Sequence, residues 1–132
     1  TETSLRFYRD ALGLSVAGES INYGPEQEHL NNVFGAKLHI SGSKTRDAGI
    51  NVEFLEYLAP TNGRPFPVDT RSNDLWHWQT SFSTGNIDGL FRTYKPEYIS
   101  TASVLFKEHV LGYRKAALVR DPDGHAVRLV EK

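Results

Sequence analysis

The feature that most constrains the fold is an order of predicted elements that occurs twice along the chain. Apolar side chains recur at helical spacing in residues 5–12 and again in residues 87–94. Three predicted strands follow each helix, and one further strand precedes the second helix. Each half therefore has the pattern β-α-β-β-β, with the first strand of the first half absent from this chain. Helices and strands in this order predict an α+β fold, in which helices cover the outer face of a cup-shaped mixed sheet.

The chain has 132 residues, which is about the length of one domain. We predict a single domain with a first module at 1–59, a crossover at 60–74 that holds three prolines, and a second module at 75–132. The predicted strands are residues 14–17, 37–41, 51–58, 75–82, 103–106, 116–120 and 125–131. Residues 18–35 have no clear hydrophobic period, so loops are expected there.

Charge and cysteine content exclude several classes of function. Fifteen Lys and Arg residues face sixteen Asp and Glu residues, for a formal net charge of −1. We therefore expect no nucleic-acid partner and no anionic membrane surface. No apolar run approaches the roughly 18 residues that span a bilayer. The chain has no cysteine, which fits a cytoplasmic location and restricts any metal ligands to His, carboxylate or amide oxygen.

Strand alternation predicts which side chains share a face, because residues two apart in a strand point to the same side. In the predicted strand 75–82, the polar face consists of Leu75, His77, Gln79 and Ser81. The other face consists of Trp76, Trp78, Thr80 and Phe82, and this aromatic face is expected to pack under the helices. The polar face is expected to line a concavity.

The same rule applies to two other strands. In residues 51–58, Phe54 belongs to the apolar face, which leaves Glu53 and Tyr57 on the opposite side. In the last strand Val127 and Leu129 are apolar, so Arg128 points the other way. Alternation therefore places Glu53, His77, Gln79 and Arg128 on the polar faces of their strands, opposite to the faces that the helices are expected to cover.

Three stretches together resemble the vicinal oxygen chelate superfamily, which comprises glyoxalases, bleomycin-resistance proteins and ring-cleaving dioxygenases. They are residues 7–14 (FYRDALGL), 52–57 (VEFLEY) and 121–131 (DPDGHAVRLVE). The resemblance covers nearly the whole chain, and the general pattern is similar to the methylmalonyl-CoA epimerase and lactoylglutathione lyase branches. It implies two modules that combine into a cup, with Glu53, His77, Gln79 and Arg128 together on its floor.

Members of this superfamily that carry out chemistry usually hold a divalent metal through the first and fourth strands of each module. The resemblance assigns the ligand positions to a residue before Thr1, to Glu53, to Gln79 and to the position of Arg128. Glu53 and Gln79 suit zinc, nickel, manganese or iron. Arg128 departs from the pattern, because a guanidinium is always charged and has no lone pair to donate. A divalent metal cofactor and a metal-free form are both expected alternatives.

Three functions follow from the resemblance. The first is a glyoxalase or epimerase type of lyase or isomerase, in which Glu53 is the catalytic residue and a metal, or a cation in its place, stabilises an enediolate. The second is a metal-free, drug-sequestering protein of the bleomycin-resistance type, in which Tyr57, Tyr23 and Arg128 matter more than Glu53. His77, Tyr57 and Arg128 are the predicted substrate-binding residues. The third is a ring-cleaving dioxygenase, which ranks last because Arg128 stands where an iron-binding glutamate is required. A homodimer is also expected, since the missing first strand leaves an exposed sheet edge.

Overall fold

The computed structural model of the chain describes residues 1–47, 49–107 and 111–132. The chain divides into two compact units, Thr1–Arg64 and Pro65–Lys132. Each unit contains its own β-sheet. None of the described helices is both long and apolar enough to cross a membrane.

The first unit opens with the predicted helix. Helix α1 (Glu2–Leu5) continues directly into a π-helical segment (Arg6–Ala11). Gly13 follows with a φ of +79°, the left-handed conformation that the sequence predicts for the residue after this helix. Three strands then form an antiparallel sheet in the order β1-β2-β3: β1 (Ser15–Tyr23), β2 (Lys37–Lys44) and β3 (Val52–Ala59).

Aromatic packing determines which face of this sheet the first helical segment covers. Phe7 and Tyr8 are buried, as predicted. The Tyr8 ring lies 5.0 Å from the rings of both Phe7 and Phe54. The helical side of the sheet is therefore the side that carries Phe54. Because neighbours in a strand alternate, Glu53 and Leu55 belong to the opposite face.

The loops predicted for residues 18–35 are wrong in two respects. Strand β1 extends to Tyr23, and a second helix, α2 (Pro25–Asn31), follows it. The extended part of β1 is exposed on both faces, so no alternation of apolar side chains marks it. Helix α2 has no apolar stripe either. It is favoured instead by proline in its first turn and by a left-handed Asn32 at its end.

The second unit follows the predicted β-α-β-β-β order, with its second strand split into two short pieces. Its elements are β4 (Gln79–Ser83), α3 (Ile87–Thr93), β5 (Glu97–Tyr98), β6 (Val104–Leu105), β7 (Lys115–Arg120) and β8 (Ala126–Glu131). The sheet order is β4-β8-β7-β5, and β6 also pairs with β7. Strands β4 and β8 are parallel, whereas the other pairs are antiparallel.

Local hydrogen bonds confirm two predicted signals in this unit. The Asn86 side chain caps α3 by accepting a hydrogen bond from the backbone N–H of Gly89 at 2.7 Å. The β7–β8 turn closes where the backbone N–H of Gly124 donates to the carbonyl of Asp121 at 3.0 Å. Gly124 has a φ of +94°, and a Cβ there would meet the Phe66 ring at 2.9 Å, so this turn requires glycine.

The core of the second unit lies on one face of β7 and β8. Val119, Val127 and Leu129 are fully buried, as is Ile87 of α3. This burial orients Arg128, which lies between two buried neighbours, toward the opposite face. The predicted orientation of β8 is therefore confirmed.

The predicted strand at 75–82 is wrong at its beginning, because β4 starts only at Gln79. The residues before it form turns, in which the backbone N–H of His77 donates to the carbonyl of Asp74 at 3.0 Å. The Asp74 side chain also accepts a hydrogen bond from a backbone N–H, that of Arg71. These local bonds use backbone groups that a strand would need for pairing. The two tryptophans are half exposed rather than core, and the Trp76 indole donates to Thr70.

Candidate functional site

Glu53 and Tyr57 lie on one face of β3, together with Leu55. The β2–β3 register pairs Glu53 with Gly42 and Tyr57 with Leu38. This face is opposite to the face that carries Phe54, as the alternation predicts. The Glu53 side chain is exposed to solvent, so its carboxylate is accessible.

A concavity of about 400 Å³ opens on this side of the first sheet. Its lining residues are Ala17, Gly18, Glu19, Ser20, Ile40, Gly42, Ser43, Asn51 and Glu53. Gly18 and Gly42 are cross-strand partners at its floor. Sequence reasoning identified Glu53 but missed the two glycines, because only the register of β1 against β2 pairs them.

Glu56 is the neighbouring carboxylate on β3, but it belongs to the helical side of the sheet. Its side chain accepts a hydrogen bond from the Thr1 hydroxyl at 2.7 Å and lies 3.4 Å from Nδ1 of His39. The Thr1 hydrogen bond, followed by the His39 contact, lowers the pKa of Glu56 below its usual value. Glu56 is therefore an ionised partner of these groups and does not line the concavity.

Gln79 and Arg128 share one face of the second sheet. The parallel register pairs Gln79 with Ala126 and Ser81 with Arg128. The Arg128 Nε–H donates to the Ser81 hydroxyl at 3.0 Å. The guanidinium carbon of Arg128 lies 6.0 Å from the centre of the Tyr113 ring. Sequence reasoning missed Tyr113, because this residue precedes β7 and strand alternation does not apply to it.

His77 does not belong to this strand face. It is half-buried in the turn that precedes β4, so its predicted alignment with Gln79 along one strand is wrong. Its role in substrate binding stays a prediction.

The charges around Arg128 leave its guanidinium available. Among the described residues of the second unit, four acidic side chains pair with other cations: Glu131 with Arg114, Glu97 with Arg120, Asp88 with Lys115 and Asp121 with His125. No described carboxylate of this unit forms an ion pair with Arg128. Its two Nη atoms likewise donate no hydrogen bond to a described residue of the unit.

The residues present do not fit a resident divalent metal. Within residues 1–47, 49–107 and 111–132, no three His, Asp or Glu side chains form a group that could hold a metal ion. On the face that carries Gln79, the next functional group is the permanent cation of Arg128, which repels a divalent ion.

Solved structures provide the comparison that decides the fold. A glyoxalase family protein from Bacillus cereus matches with a TM-score of 0.76 at 18% identity, over 98% of this chain and 85% of that chain. A glyoxalase family protein from Enterococcus faecalis matches with a TM-score of 0.60 at 18% identity, over 99% and 88% of the two chains. The chain has the vicinal oxygen chelate fold.

The trypanothione-dependent glyoxalase I of Leishmania major shares this fold more distantly, with a TM-score of 0.52 at 16% identity, over 98% of this chain and 77% of that chain. Neither a protein-family model nor a curated protein matches the sequence. The predicted resemblance to the vicinal oxygen chelate superfamily is confirmed at the level of the fold. At these identities the comparisons show the fold and do not show an activity.

Proposed function

We propose that this chain binds a small organic anion through Arg128, without a resident metal. The observation that carries the proposal is the hydrogen bond from Arg128 Nε to Ser81, which anchors the guanidinium on the strand face shared with Gln79. This corresponds to the metal-free branch of the functions that the resemblance implies.

The anchored guanidinium suits a carboxylate or phosphate. With Nε bound to Ser81, the two Nη atoms remain to donate parallel hydrogen bonds to an anion. Tyr113 lies beside the guanidinium and offers an aromatic surface to a planar ligand. Gln79 adds an amide that both donates and accepts hydrogen bonds.

The test uses benzoate as the probe, titrated by calorimetry into protein dialysed against a chelator. We expect binding with a Kd on the order of 1 mM, which is about 4 kcal/mol. Arg128→Gln should weaken it by about tenfold or more, because a hydrogen bond to a charged group contributes about 1.5–3 kcal/mol. The matched control is Arg92→Gln, an exposed arginine on α3. The proposal fails if benzoate does not bind, if Arg128→Gln leaves its affinity unchanged, or if binding requires an added metal.

A second candidate is a lyase or isomerase in which Glu53 removes a proton from the substrate. It is favoured by the exposed Glu53 carboxylate at the wall of the 400 Å³ concavity. A base must reach the proton that it abstracts, and an exposed carboxylate in a concavity meets that requirement. The assay follows isomerisation of a hemithioacetal and epimerisation of a racemic acyl-CoA, with chelated protein and with added zinc, nickel, manganese or iron. Turnover that is lost in Glu53→Gln would support this candidate, and no turnover under any condition would exclude these two reactions.

We further propose a homodimer in which a second copy covers the outer edge of β3. In the second unit, the parallel strand β4 pairs with the outer edge of the last strand, β8. In the first unit β3 is one of the two terminal strands of its sheet, and Leu55, Tyr57 and Leu58 are exposed. An open edge with apolar side chains favours association. Light scattering that gives a monomer mass at micromolar concentration would contradict this proposal.

A further inference from the structure

We propose that Gly18 and Gly42 form a bare backbone platform on which a flat cationic group binds, with its N–H donors directed at Glu53. The proposal concerns the concavity of the first unit. It goes beyond the anion site at Arg128 and does not depend on it.

The space around Gly18 and Gly42 would accommodate a Cβ at either position. Neither residue has a left-handed φ. A Cβ added at Gly18 would have no atom within 4 Å, and a Cβ at Gly42 would meet only the Gly18 carbonyl oxygen at 3.7 Å, an ordinary contact. Glycine inside a strand is less stable than alanine by roughly 0.5–1 kcal/mol. Gly18 lies next to the β-bulge between Val16 and Gly18, which is a common place for glycine in a strand. Gly42 has no such local reason, and its missing side chain leaves open space beside Glu53.

Gly18, Gly42 and Glu53 lie side by side on three neighbouring strands. Gly42 pairs with Gly18 on one side and with Glu53 on the other, so the three residues form a row across the sheet. All three line the concavity of about 400 Å³. That volume lies at the lower end of the range of roughly 300–1,000 Å³ for small-molecule pockets. A ring can therefore rest on the glycine backbone with its edge facing the carboxylate.

The charge of the residues that line the concavity favours a cationic ligand. The lining residues include Glu53 and Glu19 and no lysine or arginine. The side chain of Glu19 belongs to the helical side of the sheet, because Glu19 pairs with Ser41 and Ser41 pairs with Phe54. The Glu19 carboxylate accepts a hydrogen bond from Ser41 at 3.2 Å and lies 3.6 Å from Nε2 of His39, so it is engaged within the first unit. Glu53 is the exposed charge that remains, and Asn51 and Ser20 add neutral polar groups. A carboxylate beside a flat floor suits an amidine, a guanidinium or a protonated aminoheterocycle, which donate two parallel hydrogen bonds.

The experiment compares benzamidine with benzoate, which have the same size and shape but opposite charge. Binding is followed by calorimetry and by amide chemical shifts in the NMR spectrum. We expect benzamidine to shift the amides of β1, β2 and β3. Gly42→Val and Glu53→Gln should each weaken benzamidine by about tenfold or more and leave benzoate unchanged. Arg128→Gln should have the reverse pattern, so this proposal and the proposed function can fail independently.

Two further variants keep the test decisive. Gly18→Ala adds one methyl group in open space, so it should weaken benzamidine while the thermal midpoint stays equal or rises. Gly63→Ala, at a loop glycine with no neighbouring atom within 4 Å of a Cβ, should change neither affinity. The proposal is overturned if benzamidine does not bind. It is also overturned if the folded Gly18→Ala and Gly42→Val proteins bind benzamidine as tightly as the original chain, or if Glu53→Gln leaves its affinity unchanged.

Discussion

Arg128→Glu is expected to abolish the binding of organic anions and to raise the uptake of divalent metal. A guanidinium and a divalent ion about 4 Å apart repel each other by about 8 kcal/mol at an effective dielectric constant near 20. The substitution removes this repulsion and introduces the acid that the superfamily pattern has at this position. Elemental analysis after dialysis against zinc and then against metal-free buffer measures the effect. We expect well under one equivalent of zinc in the original chain and a higher value in the variant.

The control for this experiment is Arg92→Glu, which makes the same change of charge on α3, away from the strand face that carries Gln79. It should leave zinc retention unchanged. Stoichiometric zinc in the original chain would contradict the interpretation of Arg128 as a residue that excludes metal, and so would an Arg128→Glu protein that retains no more zinc than the original.

Phe7→Ala is expected to lower the free energy of unfolding by about 3–5 kcal/mol, as is usual when a buried phenylalanine is truncated. Phe7 is fully buried and packs edge-on against Tyr8, whose ring also contacts Phe54 of β3. The cavity would therefore open between the first helix and the sheet. Urea denaturation followed by far-ultraviolet circular dichroism is suitable, because both tryptophans lie in the second unit and report poorly on the first.

The matched control is Phe34→Ala, since the Phe34 side chain is 93% exposed. Its effect should stay within about 0.5 kcal/mol. Similar losses of stability in the two variants would mean that the packing of the π-helical segment on the first sheet is not what stabilises this unit.

The elements that the sequence predicted well are those that carry a local signal. Strand β3 begins with alternating apolar and polar side chains in Val52, Glu53 and Phe54, α3 has a capping asparagine, and the β7–β8 turn has a proline and a glycine. Each of these signals depends on neighbours within a few residues. Helix α2 escaped prediction because it has no apolar stripe, and its other signals are weak ones. The beginning of β4 was misjudged because alternation continued through residues whose backbone bonds are used in turns.

The same distinction between local and non-local signals applies to the candidate site. The sequence by itself determined that Glu53 and Arg128 point away from the apolar faces of their strands, because alternation is a property of the strand backbone. Only the tertiary structure decided what stands beside them. The Ser81 hydroxyl that anchors Arg128 is 47 residues away in the chain, and the pairing of Gly18 with Gly42 depends on the register of two strands. Strand register results from the packing of whole sheets, so the neighbours that give these two charges their chemistry could not be predicted from spacing along the chain.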